Sequence, residues 1–168
     1  MSTTHDPMSV DIKAPVLAHH EIDVRAALAT VWARQVDVNR WPTWQADVTT
    51  TCLHGPLTVG SDFTWTTTGF TIISTVYQLF EPIRILWGSA GEGATVSLHE
   101  WLFQPSAIGV HVTTNKSLSG PRVEADPSGI QKLLDASLQS WLADLKRTAE
   151  ETDPTPRARR RLAKPTRR

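Results

Sequence analysis

The chain has 168 residues, of which 40% are hydrophobic and 20% are charged, and its formal net charge is zero. This composition is typical of a single globular domain that can bury a core. No stretch approaches the roughly 18 consecutive apolar residues of a transmembrane helix, and the N-terminus lacks a basic segment followed by an apolar one. We therefore expect neither membrane insertion nor secretion. The single cysteine, Cys52, cannot form an internal disulfide, which favours a cytoplasmic location.

The charges are distributed unevenly. Residues 152–168 carry seven basic side chains and one acidic side chain, which leaves residues 1–151 net negative. Residues 1–17 and 152–168 show no periodicity, and we interpret them as disordered tails around one domain at 18–151. Contact of residues 157–168 with nucleic acid or an anionic surface is the weaker interpretation. No aromatic side chain alternates with the basic ones, and the body of the chain is acidic.

The predicted elements begin with a strand at 19–26, where charged and apolar residues alternate. A short helix follows at 27–35, and a second helical turn at 37–44 is broken at Pro42. The next segments are rich in β-branched and aromatic residues, are separated by Gly and Pro, and predict six strands at 47–53, 62–68, 70–80, 83–87, 96–103 and 110–118. Short connections between consecutive strands indicate an antiparallel meander.

The last predicted element is a long helix. Asp126 is the expected N-cap, Pro127 stands near the first helical position, and Ser128 with Gln131 fits a capping box. About 22 residues at 1.5 Å each give roughly 33 Å, enough to cross a sheet. One apolar stripe follows at helical spacing: Ile130, Leu133, Leu134, Leu138, Trp141, Leu142, Leu145 and Ala149. The fold class is therefore α+β.

Residues 18–151 resemble the SRPBCC superfamily, the START-like proteins that include the polyketide cyclase/dehydrase-like group. The resemblance lies in the order and spacing of several phrases, namely Val31-Trp32, Trp41-Pro42, Trp44, Gly60, Phe63-Thr64-Trp65, Val76, Glu81-Pro82, Leu86-Trp87-Gly88, His99-Glu100-Trp101-Leu102-Phe103, Gly120 and Trp141-Leu142 to Lys146. It implies the helix-grip fold, in which a curved seven-stranded antiparallel sheet wraps around the C-terminal helix and two short helices follow the first strand.

A sheet curled around a helix leaves space for an apolar pocket, and such pockets carry a few orienting polar groups. The chain has seven tryptophans, whose indoles suit a flat or polycyclic ligand; the competing interpretation is that they fill the core. Hydroxyl groups and the helix stripe would complete the lining. The predicted ligand contacts are Trp44, Trp65, Thr67, Ser74, Trp87, Trp101, Leu134 and Leu138.

Two side chains are candidates for proton transfer. His99 shares strand parity with Trp101, so it should face the same side, where it would act as an acid–base group or simply donate a hydrogen bond. Tyr77 is the single tyrosine and could orient a ligand carbonyl or sit at an edge. Glu100 should point away from His99, so the two cannot act together. No cofactor motif is present.

Metal binding is not expected. His19 and His20 should point to opposite faces of a strand, and Cys52 with His54 has no companion pair of ligands.

These features favour a protein that binds a small hydrophobic molecule, such as a lipid, polyketide or aromatic metabolite, as a monomer or homodimer. A polyketide cyclase or dehydratase acting through His99 is the alternative. Members of the resembled family often carry a glutamate shortly before the glycine that ends the last strand. Lys116 stands there in this chain, which favours binding over catalysis.

Overall fold

The computed structural model describes residues 6–91 and 94–153. Its strands form one antiparallel sheet in the order β1-β7-β6-β5-β4-β3-β2. The strands are Val16–Val24 (β1), Val48–Leu53 (β2), Asp62–Thr67 (β3), Phe70–Phe80 (β4), Arg84–Ala90 (β5), Val96–Ser106 (β6) and Gly109–Ser119 (β7). The helices are Leu28–Val36 (α1), a 3-10 helix at Val38–Thr43, Pro121–Ala125 (α2) and Pro127–Thr152 (α3). The predicted α+β helix-grip architecture is confirmed.

Several boundaries differ from the prediction. β1 begins at Val16, inside the segment predicted as a tail, and α3 continues to Thr152. β6 and β7 run on to Ser106 and Gly109, because Pro105 stays paired with Val110 instead of starting the turn. The helix α2 was not predicted. The basic segment 157–168 lies outside the described residues.

Residues 6–15 form no strand or helix, yet part of this segment is attached to the sheet. Arg84 Nη2 donates a hydrogen bond to the carbonyl oxygen of Met8 at 2.6 Å. The amide of Asp11 donates to the hydroxyl of Ser117 at 3.0 Å. Arg84 also binds Glu100, which points away from the interior. The N-terminal segment therefore lies on the outer, convex face of the sheet.

The helix α3 crosses the concave face and buries one side against it. Leu134, Leu138, Trp141 and Leu145 are all buried, as the stripe predicts. Leu133 is 71% exposed, so its assignment to the buried stripe was wrong. The interior apolar residues form two separate clusters, a large one around the tryptophans and a smaller one of Val16, Ala18, Val123, Leu134 and Leu138. No helix within the described ranges is long and apolar enough to cross a bilayer.

The start of α3 is capped by Asp126 alone. Its Oδ1 accepts a hydrogen bond from the amide of Gly129 at 3.0 Å, whereas Gln131 donates to the carbonyl oxygen of Leu17. The predicted Ser128–Gln131 capping box is therefore wrong. Asp126→Ala should lower the free energy of unfolding by about 1 kcal/mol, because an orphan amide loses its acceptor. Asp126→Asn should lose clearly less in the same urea titration, since the amide oxygen still caps; equal losses would contradict the capping role.

Candidate functional site

The middle of the grip is filled by tryptophan rings. Trp65, Trp87 and Trp101 leave 3%, 2% and 0% of their surface exposed. The Trp41 ring packs against Trp65 and Trp87, with its centroid 5.6 Å from that of Trp87, and it lies 5.0 Å from that of Trp141. Here the structure favours core filling. The sequence places Trp41 in a short helix and Trp141 in the stripe, and both stand in the phrases that resemble the family, but it does not predict that the two rings join this cluster.

Trp44 belongs to the same buried cluster as these rings and lies at its edge. It is 5% exposed and borders a surface hollow of about 370 Å³ between α1, the 3-10 helix and the end of α3. Arg34 and Arg40 also line this hollow. Trp44 therefore shares the cluster of Trp65, Trp87 and Trp101 but borders a hollow that none of these three lines.

His99 is buried in the tryptophan cluster, as its strand parity predicts. Its ring centroid lies 5.1 Å from that of Trp87 and 5.2 Å from that of Trp101. The hydroxyl of Thr114 donates to the carbonyl oxygen of Glu100 at 3.2 Å, so it accepts from His99 Nε2, 2.9 Å away. Within the described part of the chain, His99 Nδ1 has no hydrogen-bond partner. This arrangement selects the neutral tautomer with its proton on Nε2 and a free lone pair on Nδ1.

The environment keeps His99 uncharged. Burial, reinforced by the positive charge of Lys116, holds the pKa of His99 well below its usual value of 6.5. On the outer face, hydrogen bonds to Asp23 and Glu21 raise the pKa of His111. The protein therefore contains one histidine with a lowered pKa and one with a raised pKa, and each can serve as the control for the other.

A nitrogen-15 NMR titration of the histidine side chains should separate them. His99 should keep the spectrum of the Nε2-protonated neutral ring when the pH falls from 7.5 to about 5.5, because charging it would bury an unpaired cation. His111 should become charged at a pH above its usual pKa. Protonation of His99 together with His111 would contradict the assigned tautomer and burial.

Tyr77 does not join this group. It lies in the bulge between Val76 and Gln78, and its ring covers Gly88 beside Leu98 on the outer face. A Cβ atom at Gly88 would come within 2.7 Å of Tyr77 Cε2, so the glycine makes room for the ring. The expectation that Tyr77 orients a ligand together with His99 is therefore not supported by its position.

One end of the concave face remains accessible. Residues two apart on a strand share a face, so Ser89 lies on the side of Trp87, and its partner Ser97 lies on the side of His99. Although these positions face α3, they are only half-buried, unlike the tryptophans beyond them. The half-buried residues that face inward at this end are Thr67, Ile72, Ser89, Ser97, Lys116 and Leu118. Buried Ser74, Leu134 and Leu138 adjoin them on the same face of the sheet and on α3.

Hydroxyl groups at this end are set into apolar surroundings. Ser74 accepts a hydrogen bond from Trp65 Nε1 at 3.0 Å, so its own proton is available to another acceptor. Sequence reasoning identified Thr67 and Ser74 but missed Ser89, Ser97 and Ile72. The alternation of β5 and β6 contains the necessary signal, because Ser89 has the parity of Trp87, and Ser97 that of His99.

The described residues offer no metal centre. They contain no group of three or more His, Cys, Asp and Glu side chains placed to bind an ion. Cys52 Sγ lies 3.2 Å from His54 Nε2 on an exposed strand end, without a third ligand. His20 binds Asp135 of α3 at 2.8 Å, while His19 faces outward to Asn115.

Solved structures share this fold at low sequence identity. A hypothetical protein from Helicobacter pylori superposes with a TM-score of 0.76 at 17% identity, over 89% of this chain and 97% of that one. A START superfamily protein from Mycobacterium smegmatis gives 0.70 at 16% identity, over 81% and 98%. The di-domain ARO/CYC protein StfQ of the steffimycin biosynthetic pathway gives 0.69 at 17% identity, over 82% of this chain and 51% of that chain.

A family model assigns the sequence more directly. No curated protein matches the chain. Residues 15–150 match the family described as polyketide cyclase / dehydrase and lipid transport, a range that includes every strand, α1, α2 and nearly all of α3. The helix-grip architecture agrees with that match, as do the START-like structures above. The chain belongs to the polyketide cyclase / dehydrase and lipid transport family.

Proposed function

We propose that the protein binds a small hydrophobic molecule at the accessible end of the grip, between the sheet and the first half of α3. The observation that carries the proposal is the set of half-buried positions that face inward, Thr67, Ile72, Ser89, Ser97, Lys116 and Leu118. Inward-facing side chains in a filled core would be fully buried. Together with Leu134 and Leu138 of α3, these side chains combine apolar surface with a few polar groups, which is the usual composition of a small-molecule site.

The family supports the ligand class. Its description names polyketides and lipids, which are large apolar molecules with carbonyl or hydroxyl groups. The hydroxyl of Ser74 and the neighbouring serines would orient such groups, while Leu134 and Leu138 would cover the carbon skeleton. The cytoplasmic location, the monomer or homodimer state and the role of residues 157–168 stay predictions from the sequence.

Calorimetry and thermal shift with a panel of fatty acids and aromatic polyketides test the proposal. Strand β4 offers a matched pair of variants for these measurements. Ile72 faces inward at the accessible end, whereas its neighbour Ile73 is 63% exposed on the other face. Ile72→Trp should fill the opening and weaken binding at least tenfold; Ile73→Trp should leave binding unchanged. The proposal would be contradicted if Ile72→Trp bound a ligand as tightly as the wild type, or if no compound of the panel bound the wild type.

A second candidate is a cyclase or dehydratase that uses His99 as a proton acceptor. The free lone pair on His99 Nδ1 favours it, because a neutral buried imidazole can accept a proton. This candidate does not include Tyr77, because its ring packs over Gly88 on the outer face. A His99→Gln variant that binds a polyketide substrate normally but turns it over at least 100-fold more slowly would support catalysis. Equal turnover by the variant would exclude it.

A further inference from the structure

Lys116 is an interior lysine that no motif of the chain explains. It pairs with His99 of β6 and with Ala18 of β1. On β7 it lies on the same face as Val112 and Thr114, which are buried and point inward. Its side chain spans the concave face. The ammonium group lies 5.8 Å from the ring centroid of Trp65 on β3, although β6, β5 and β4 separate the two strands in the sheet.

The charge of Lys116 is not compensated by another part of the described chain. No carboxylate there forms an ion pair with it, and Asp135, the acid that α3 presents to the sheet, is already bound to His20. The neighbouring side chains are neutral, namely Trp65, His99 and Ala18. Among residues 6–91 and 94–153, the face of the Trp65 indole is its one attractive partner, through a cation–π contact.

The apolar surroundings perturb this amine. Burial lowers the pKa of Lys116 from 10.5 to about 8, so most of the amine still carries its charge at neutral pH. A partly desolvated cation without a counter-ion is costly to maintain. A ligand that brings a negative oxygen into this space would relieve that cost, whereas a neutral ligand of the same shape would increase it.

We infer that the Lys116 ammonium binds an acidic oxygen group of the ligand, so that the ligand class is an amphipathic acid: an apolar skeleton that ends in a carboxylate or an ionised enol or phenol. The inference rests on the proposed function and specifies its ligand. The skeleton lies against Ile72, Leu118 and Leu134, the acidic oxygen meets Nζ of Lys116, and the serine hydroxyls donate to the remaining lone pairs.

A matched pair of probes tests this inference in the full chain. 1-Pyrenebutyric acid and its methyl ester share one skeleton and differ in the charge of the head group and by one methyl group. The acid should bind the wild-type protein at least tenfold more tightly than the ester. Lys116→Met keeps the length and apolar character of the side chain, and should bind both probes with equal affinity. Lys132→Met, which removes an exposed lysine of α3, should retain the preference for the acid.

The outcomes separate the two proposals. Equal binding of acid and ester by the wild type, or a preference that survives in Lys116→Met, overturns the inference and leaves the proposed function standing. If neither probe binds and no other apolar acid or ester does, both fail. A folding defect in Lys116→Met is recognised by loss of ester binding, and a second measurement then decides. NMR of the wild-type Lys116 side chain should show its pKa rising by at least one unit when the acid binds, and an unchanged pKa overturns the inference.

Discussion

Trp41→Ala should lower the free energy of unfolding by about 3–5 kcal/mol, the usual cost of removing a large aromatic side chain from a core. Trp41 is fully buried and packs edge-on against Phe63, Trp65 and Trp141. Its Nε1 also donates to the carbonyl oxygen of Gln35 at 2.9 Å. The truncation therefore leaves a cavity and an unpaired carbonyl at the centre of the larger cluster.

Phe70→Ala is the control for this prediction. Phe70 is 60% exposed at the start of β4, so its removal should cost less than about 1 kcal/mol. Urea unfolding of the wild type and both variants measures the difference. If Trp41→Ala lost no more stability than Phe70→Ala, the tryptophan cluster would not be the main packing unit of the fold.

The stability of the wild type relative to Lys116→Met should increase by about 2 kcal/mol as the pH rises from about 8 to about 10.5. The pKa of Lys116 is lower in the folded chain than in the unfolded one, so the unfolded state binds more protons between these values. Stability therefore rises with pH in that interval. Below it, the folded state bears the full cost of the buried charge; above it, both states are neutral. The magnitude allows for solvent screening of a half-buried group.

Urea titrations at several pH values between 7 and 11 measure this effect. Subtracting the free energy of unfolding of Lys116→Met from that of the wild type cancels the contribution of most other titrating groups. The interior titratable groups nearest to Lys116 are His99 and the His20–Asp135 pair. Lys132→Met, at an exposed position, should follow the wild type throughout. A stability difference between wild type and Lys116→Met that stayed constant with pH would mean that Lys116 is as well solvated in the folded protein as in the unfolded chain.

The sequence predicts the architecture because its signals are periodic and long. The apolar stripe of α3 extends over about five turns. In the strands, inward and outward side chains alternate, and Gly or Pro residues separate one strand from the next. The helix α2 escapes detection since Pro121–Ala125 is too short to show a period. Pro105 predicts a turn where the structure continues the strand. A proline is tolerated there because its missing N–H donor is not needed for pairing.

The site is less predictable, because it depends on how far side chains reach across the interior. Parity correctly orients His99, Trp65 and Trp101 inward, but it cannot show that Trp41 and Trp141 fill the space between them. Alternation along β4 places Tyr77 on the face opposite to Ser74 and Val76, and its contact with Gly88 agrees with that position, so the outer location of Tyr77 could be predicted from the sequence. The sequence identifies Lys116 only as a departure from the family, since its contact with Trp65 requires the curvature of the whole sheet.

The close packing of the tryptophan rings also couples their optical transitions. The Trp41 centroid lies 5.0 Å from that of Trp141, 5.6 Å from that of Trp87 and 5.9 Å from that of Trp65. At such separations indole excited states couple, and excitation energy passes between rings before it is emitted. The near-ultraviolet circular dichroism should therefore be strong and arise from the cluster as a whole. A molecule that touches the Trp65 edge should alter the emission of every ring behind it.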